Sequence, residues 1–112
     1  MANVFQDRQK SQEAKYKMDE ELRFKAESRR NRLLGEWLAD KFGLKDDARK
    51  AYAAEVVQSD LEAPGIEDVI AKVMKDVKTR GVSVSEQEVR DQMTKLYAVA
   101  MEQLRSDYPK SL

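Results

Sequence analysis

Residues 19–37 read DEELRFKAESRRNRLLGEW, with ten charged side chains in nineteen positions. Despite that charge, Leu22, Ala26, Leu33, Leu34, Trp37 and Leu38 recur at the three- and four-residue spacing of one helix face. The spacing predicts a helix from about Glu20 to Phe42. Asp19 is the expected N-cap, and Glu20 and Glu21 suit the positive end of the helix dipole. Gly43 is placed to take the left-handed position that ends a helix, with Leu44 folding back as the apolar residue after it. Gly35 breaks the pattern, because an interior glycine costs ~1 kcal/mol relative to alanine. Close approach by another helix is the ordinary reason for it, and a hinge is the sharper one.

Beyond that helix, Pro64–Gly65, Gly81 and Pro109 punctuate three more periodic segments. The second helix is expected over about 47–61, capped by Asp46 or Asp47, with Ala48, Ala51, Tyr52 and Val56 facing inward. The third is expected over about 67–80, with Ile66, Val69, Ile70, Val73, Met74 and Val77 making the stripe. The fourth is expected over about 86–107. Its start carries a capping box, Ser85 with Glu88 three residues on, and a hydrophobic staple between Val84 and Val89. Its stripe is Val89, Met93, Leu96, Tyr97, Ala100, Met101 and Leu104. No segment alternates with the period of a strand. The fold class is therefore all-α, a four-helix bundle over residues 19–112.

Residues 1–18, MANVFQDRQKSQEAKYKM, have helical composition and almost nothing to bury. Phe5 and Tyr16 are eleven positions apart, so on an α-helix they project within ~20° of each other. Two aromatics three turns apart make anchors rather than a core. A helix of this length without packing is marginal in water. The segment reads as a flexible N-terminal arm, mobile in the free protein and able to become helical on a partner.

The whole chain carries 21 basic and 21 acidic residues. That balance argues against a general nucleic-acid binder and against a polybasic membrane protein. The distribution is uneven: residues 1–18 hold four bases against two acids, and residues 46–112 hold ten against thirteen. Cysteine and histidine are both absent, which removes the usual thiol nucleophile, the commonest general base and the softer metal ligands. No phosphate-binding glycine loop, dinucleotide fingerprint or EF-hand loop is present. The expectation is a protein that is not an enzyme, with no catalytic residues, no metal and no cofactor. No run is apolar enough to span a bilayer, and the start lacks a secretory signal core, so a cytoplasmic protein without membrane insertion is expected.

Arg29, Arg30 and Arg32 offer one possible basic surface for RNA or a nucleotide. Acids interleave with them at helical spacing, Glu21 with Lys25, Arg23 with Glu27 and Arg32 with Glu36, which favours a solvated helix face instead. Trp37 and the five methionines read as packing.

The run from Asp19 to Leu44, followed by AYAAEVV and GVSVS, resembles the alphaproteobacterial family of small four-helix proteins that includes the ζ subunit, the inhibitor of F1-ATPase. The resemblance covers essentially the whole chain. It implies a regulatory inhibitor of F1FO-ATP synthase whose arm becomes helical and wedges into an α/β catalytic interface. Rotation in the hydrolysing direction is then blocked, and synthesis rotation expels the wedge. The implied partners are the F1 α and β subunits, with the rotor γ subunit as a further candidate, and no nucleic acid. The implied location is the F1 head at the inner face of the plasma membrane. The free protein is expected to be a monomer. The implied partner-binding residues are Val4, Phe5, Arg8, Gln12, Lys15 and Tyr16. Phe5 and Tyr16 would be the apolar anchors, and Arg8 and Lys15 the polar contacts. Gln12 stands where family arms commonly carry an aromatic residue. One missing apolar anchor removes roughly 1.5–3 kcal/mol of burial, enough to weaken binding about tenfold or more. The alternative is a family member with weakened or lost inhibition acting as a helical adaptor through the Arg29–Arg32 face.

Overall fold

In the computed structural model the backbone is described for residues 2–111 and the side chains for residues 19–106. Four helices follow in order: α1 (Ala2–Lys41), α2 (Asp46–Glu62), α3 (Ile66–Arg80) and α4 (Glu86–Ser111). No strand occurs among the described residues.

Two glycines stop helices in the same way. Gly43 (φ 75°) and Gly81 (φ 68°) take the left-handed conformation that a side chain disfavours. The next residue then folds back: the Leu44 N–H donates to the Ala39 carbonyl at 2.9 Å, and the Val82 N–H donates to the Val77 carbonyl at 3.2 Å. Both returns satisfy carbonyls that a helix end leaves open. The start of α4 matches its sequence signature. The Glu88 N–H donates to Ser85 Oγ at 3.1 Å, and the Ser85 hydroxyl reaches Glu88 Oε1 at 3.4 Å. Val84 and Val89 are both buried.

Several expectations need correction. Neither Asp46 nor Asp47 caps α2. Lys45 is the N-cap residue, extended at φ −133°, and no side chain closes the cap. The two aspartates lie inside the first turn, where they act through the helix dipole. Asp19 is likewise inside a helix, because α1 continues back to Ala2. α4 extends past Pro109 to Ser111. Ala48 and Ala51 are exposed, and Ala53 is buried in their stead. Ile66, expected on the α3 stripe, is about half exposed.

The displaced face of α2 follows from Gly35. A Cβ at that position would lie 2.6 Å from Ala53 Cα and 3.3 Å from Val56 Cγ2. The helices therefore touch backbone to backbone, and α2 turns Ala53 and Val56 toward α1. Close packing is the reason for the glycine. The main core gathers Leu34, Leu38, Tyr52, Val56, Val69, Val73, Val89 and Met93 from all four helices, with Trp37 and Phe42 partly buried against it. A second, smaller core joins only α1 and α4, with Ala26, Ala100 and Leu104 buried and Leu22, Leu33, Tyr97 and Met101 packed on them. The α1–α4 pair thus reaches further toward the N-terminus than the bundle proper.

Candidate functional site

The six residues expected to bind a partner, Val4, Phe5, Arg8, Gln12, Lys15 and Tyr16, lie on the first half of α1. Their side chains fall outside the described residues. The described part of α1 fixes how that half meets the bundle. Leu22 is its first partly buried side chain and Ala26 its first fully buried one. At 1.5 Å per residue, Phe5 and Tyr16 are about 16 Å apart along the axis, and Tyr16 is about 15 Å from Ala26. The helix therefore carries the six positions N-terminal to the first packed side chains among the described residues.

The opposite end of the bundle is fastened by aromatic and ionic contacts. Phe42 meets Tyr52 edge-on at 5.2 Å between centroids, and the Arg80 guanidinium lies 4.9 Å from the Phe42 ring. The Tyr52 hydroxyl donates to Asp76 Oδ2 at 2.8 Å. Burial, then that bond to a carboxylate, push the phenol well above its usual range, so it stays protonated. Lys72 bridges Asp76 (2.8 Å) and Glu55 (3.0 Å). Partial burial works against its charge, but these two carboxylates outweigh it and raise its pKa. Arg49 holds the Asp40 carboxyl below its usual range by a 2.9 Å hydrogen bond, and Arg90 does the same for Glu67 at 2.8 Å. These are ties between helices rather than reactive groups.

Arg32 lies on the solvated face that the spacing suggests, with its i,i+4 partner Glu36, but Arg30 does not. Arg30 is 5% exposed, and its Nε and Nη2 donate to Asn31 Oδ1 at 3.2 and 3.1 Å. Its guanidinium sits 5.9 Å from the centre of the Tyr97 ring. Asn31 is fully buried and donates from Nδ2 to Asp60 Oδ2 at 2.8 Å, while Asp60 Oδ1 accepts the Gly65 N–H at 3.2 Å. This chain of bonds ties α1 to the end of α2 and to the α2–α3 link. Arg29 donates to Gln103 at 3.3 Å, and Arg32 pairs with Glu36 at 3.7 Å. The three arginines thus serve three different contacts. The signal for Arg30 and Asn31 was in the spacing. Arg30 stands four residues after Ala26 and four before Leu34, and Asn31 stands seven before Leu38, all on the apolar face.

A cavity of 410 Å³ opens between α1, α3 and α4, lined in part by Glu27, Arg30, Ile66, Arg90 and Tyr97. Its two guanidiniums are already engaged, Arg30 by Asn31 and Arg90 by Glu67 and Glu86. Among the described residues, no group of three or more acidic side chains is placed to hold a metal ion. Among them also, no helix is long and apolar enough to cross a membrane.

Comparison with known proteins supplies what the geometry leaves open. The family model described as ATPase inhibitor subunit zeta matches residues 1–103, which includes the whole N-terminal half of α1. A structure solved by solution NMR is similar at 45% identity and a TM-score of 0.67, over 77% of this chain and 98% of that one. No curated protein matches. With nearly the full length matched, and four helices in the expected order, this chain belongs to the ATPase inhibitor subunit zeta family, whose role is inhibitory regulation of an ATPase.

Proposed function

We propose that the protein inhibits ATP hydrolysis by F1-ATPase by inserting residues 1–18 as a helix into an α/β catalytic interface. The observation that carries this reading is the extent of α1. It runs back to Ala2, 24 positions before Ala26, the first fully buried residue among the described side chains. A helix whose residues 1–18 are as polar as these needs another surface to hold it. Phe5 and Tyr16, with Val4 beside the first, supply apolar anchors on one edge. Arg8 and Lys15 supply charge to an interface that offers acidic groups. The work is steric: a helix held between two subunits stops the closure that hydrolysis requires, and no bond is made or broken by the inhibitor. The bundle, tied at Gly35 and by the Tyr52–Asp76–Lys72 contacts, is the rigid body that keeps the wedge from passing through. The rotor γ subunit is a further contact in this scheme. The protein acts as a monomer in the cytoplasm, at the F1 head on the inner face of the plasma membrane.

Gln12 supports a second reading, in which the chain binds F1 but inhibits weakly because one apolar anchor is missing. Steady-state ATP hydrolysis by cognate F1 separates the two when the full chain is compared with residues 19–112. The proposal expects inhibition by the full chain and none by the truncated one. Weak inhibition by the full chain that Gln12→Phe strengthens marks the second reading. Equal inhibition by both lengths overturns the arm's role.

A further inference from the structure

Arg30 is the one buried cation among the described residues. Burying a charge is costly unless an opposite charge or a full set of hydrogen bonds meets it. Arg30 has neither. Its Nε and Nη2 share one neutral acceptor, the Asn31 amide oxygen, and the Tyr97 ring lies 5.9 Å away. No carboxylate among the described residues pairs with it, and Asp60 reaches it only through the Asn31 amide. A guanidinium has five N–H donors, so those on Nη1 remain to be met. Among the described residues, no side-chain nitrogen or oxygen is both fully buried and without a partner. Nη1 therefore has open surface, and the 410 Å³ cavity between α1, α3 and α4 is what Arg30 lines.

The other groups around the cavity define what fits it. Ile70 and Met93, both buried, and Tyr97 give it apolar walls, and the half-exposed Ile66 stands at its edge. Its volume falls in the range of small-molecule sites, roughly 300–1,000 Å³. The second guanidinium, Arg90, is held by Glu67 at 2.8 Å and by Glu86 at 3.1 Å, so its charge is met twice. Glu27 lines the cavity one turn before Arg30. A ligand thus finds one unmet positive charge, apolar walls and carboxylates close by. A single negative charge on an apolar body matches that set. A phosphate ester carries nearly two charges, and Glu27, Glu67 and Glu86 repel the second.

We infer that this cavity is a binding site for a small monocarboxylate with an apolar chain. The carboxylate accepts hydrogen bonds from Arg30 Nη1, and the chain lies against Ile70, Met93 and Tyr97. A charge-assisted bond of this kind is the strong anchor, and the apolar walls supply the rest. None of these groups belongs to residues 1–18, so the inference is independent of F1 inhibition. Because the lining comes from three helices, the bound ligand joins α3 to α1 and α4 and stabilises the folded chain by mass action.

The test is titration of the free full-length protein with octanoate, octanol and octyl phosphate, followed by amide NMR shifts. Octanoate is expected to shift the amides around Arg30, Ile70 and Tyr97 at concentrations about tenfold or more below those that the other two require. Arg30→Met removes the charge and keeps the apolar stem. It should bind octanoate no better than octanol, while octanol still shifts the same amides and so reports an intact cavity. Glu27→Gln leaves Arg30 in place and should narrow the gap between octanoate and octyl phosphate several-fold. The absence of octanoate shifts around the cavity at millimolar concentration overturns the site. Equal affinity of the wild type for octanoate and octanol, or undiminished octanoate binding by Arg30→Met, overturns the carboxylate's role. Tighter binding of octyl phosphate than of octanoate overturns the proposal in favour of a phosphorylated ligand. Should Arg30→Met not fold, the wild-type comparison of octanoate with octanol decides by itself.

Discussion

Gly35 shows how one residue sets the geometry of a bundle. Adding a methyl group there places it 2.6 Å from the Cα of Ala53, which is backbone and cannot rotate aside. Overpacking of this kind costs about 1–3 kcal/mol, against ~1 kcal/mol gained in helix propensity. Because the helices themselves must separate, Gly35→Ala is expected to lose about 1 kcal/mol net, seen as a lower midpoint in urea denaturation. An unchanged or raised midpoint contradicts the close-approach account. The glycine's oddity was legible in the sequence, but its partner was not. Ala53 lies about 140° around the helix from Ala48 and about 160° from Ala51, but Tyr52 and Val56 can be flanked by an alanine on either side, so spacing alone does not choose between them. Only the contact with Gly35 decides which is buried. Arg30 and Asn31 were harder still. Their types argue for the surface while their positions argue for the core, and position prevailed because Asn31 meets both the Arg30 guanidinium and the Asp60 carboxylate.

At the scale of the element, stops are easier to read than starts. Gly43 and Gly81 end their helices as a left-handed glycine should, and the Ser85–Glu88 pair begins α4 as a capping box should. The start of α2 misleads because two aspartates beside a helix look like caps, although the turn after Leu44 leaves Lys45 in the cap position. The start of α1 misleads for a different reason. Asp19, Glu20 and Glu21 resemble a helix beginning, but acids are equally at home inside a long exposed helix. The boundary expected at residue 18 is therefore not a break in the backbone. A helix with nothing to pack on opens and closes rapidly. We expect backbone amides of residues 1–16 in the free protein to have NMR order parameters well below those of α4. Equal order parameters in the two stretches contradict an arm that waits for its partner.

For the whole molecule, the two ends of α1 divide the labour. One end is locked into a core drawn from four helices, and the other carries the helix back to Ala2. The fold class was legible because four stripes and their breaks leave no other economical arrangement. The site was legible only through family resemblance, since Phe5 and Tyr16 without a core have no meaning until a second protein is supplied. The central claim is that the arm acts as a helix while the bundle merely bears it. The most direct measurement is a titration of cognate F1 with the wild-type chain and with Gln9→Pro, following steady-state ATP hydrolysis. Proline in mid-helix breaks the arm between its two aromatic anchors, at about 3 kcal/mol or more, and replaces no residue of the two cores formed by the described side chains. We predict inhibition by the wild type and none by Gln9→Pro, with the two proteins unfolding at the same temperature by circular dichroism. Superimposable inhibition curves for the two proteins contradict the account.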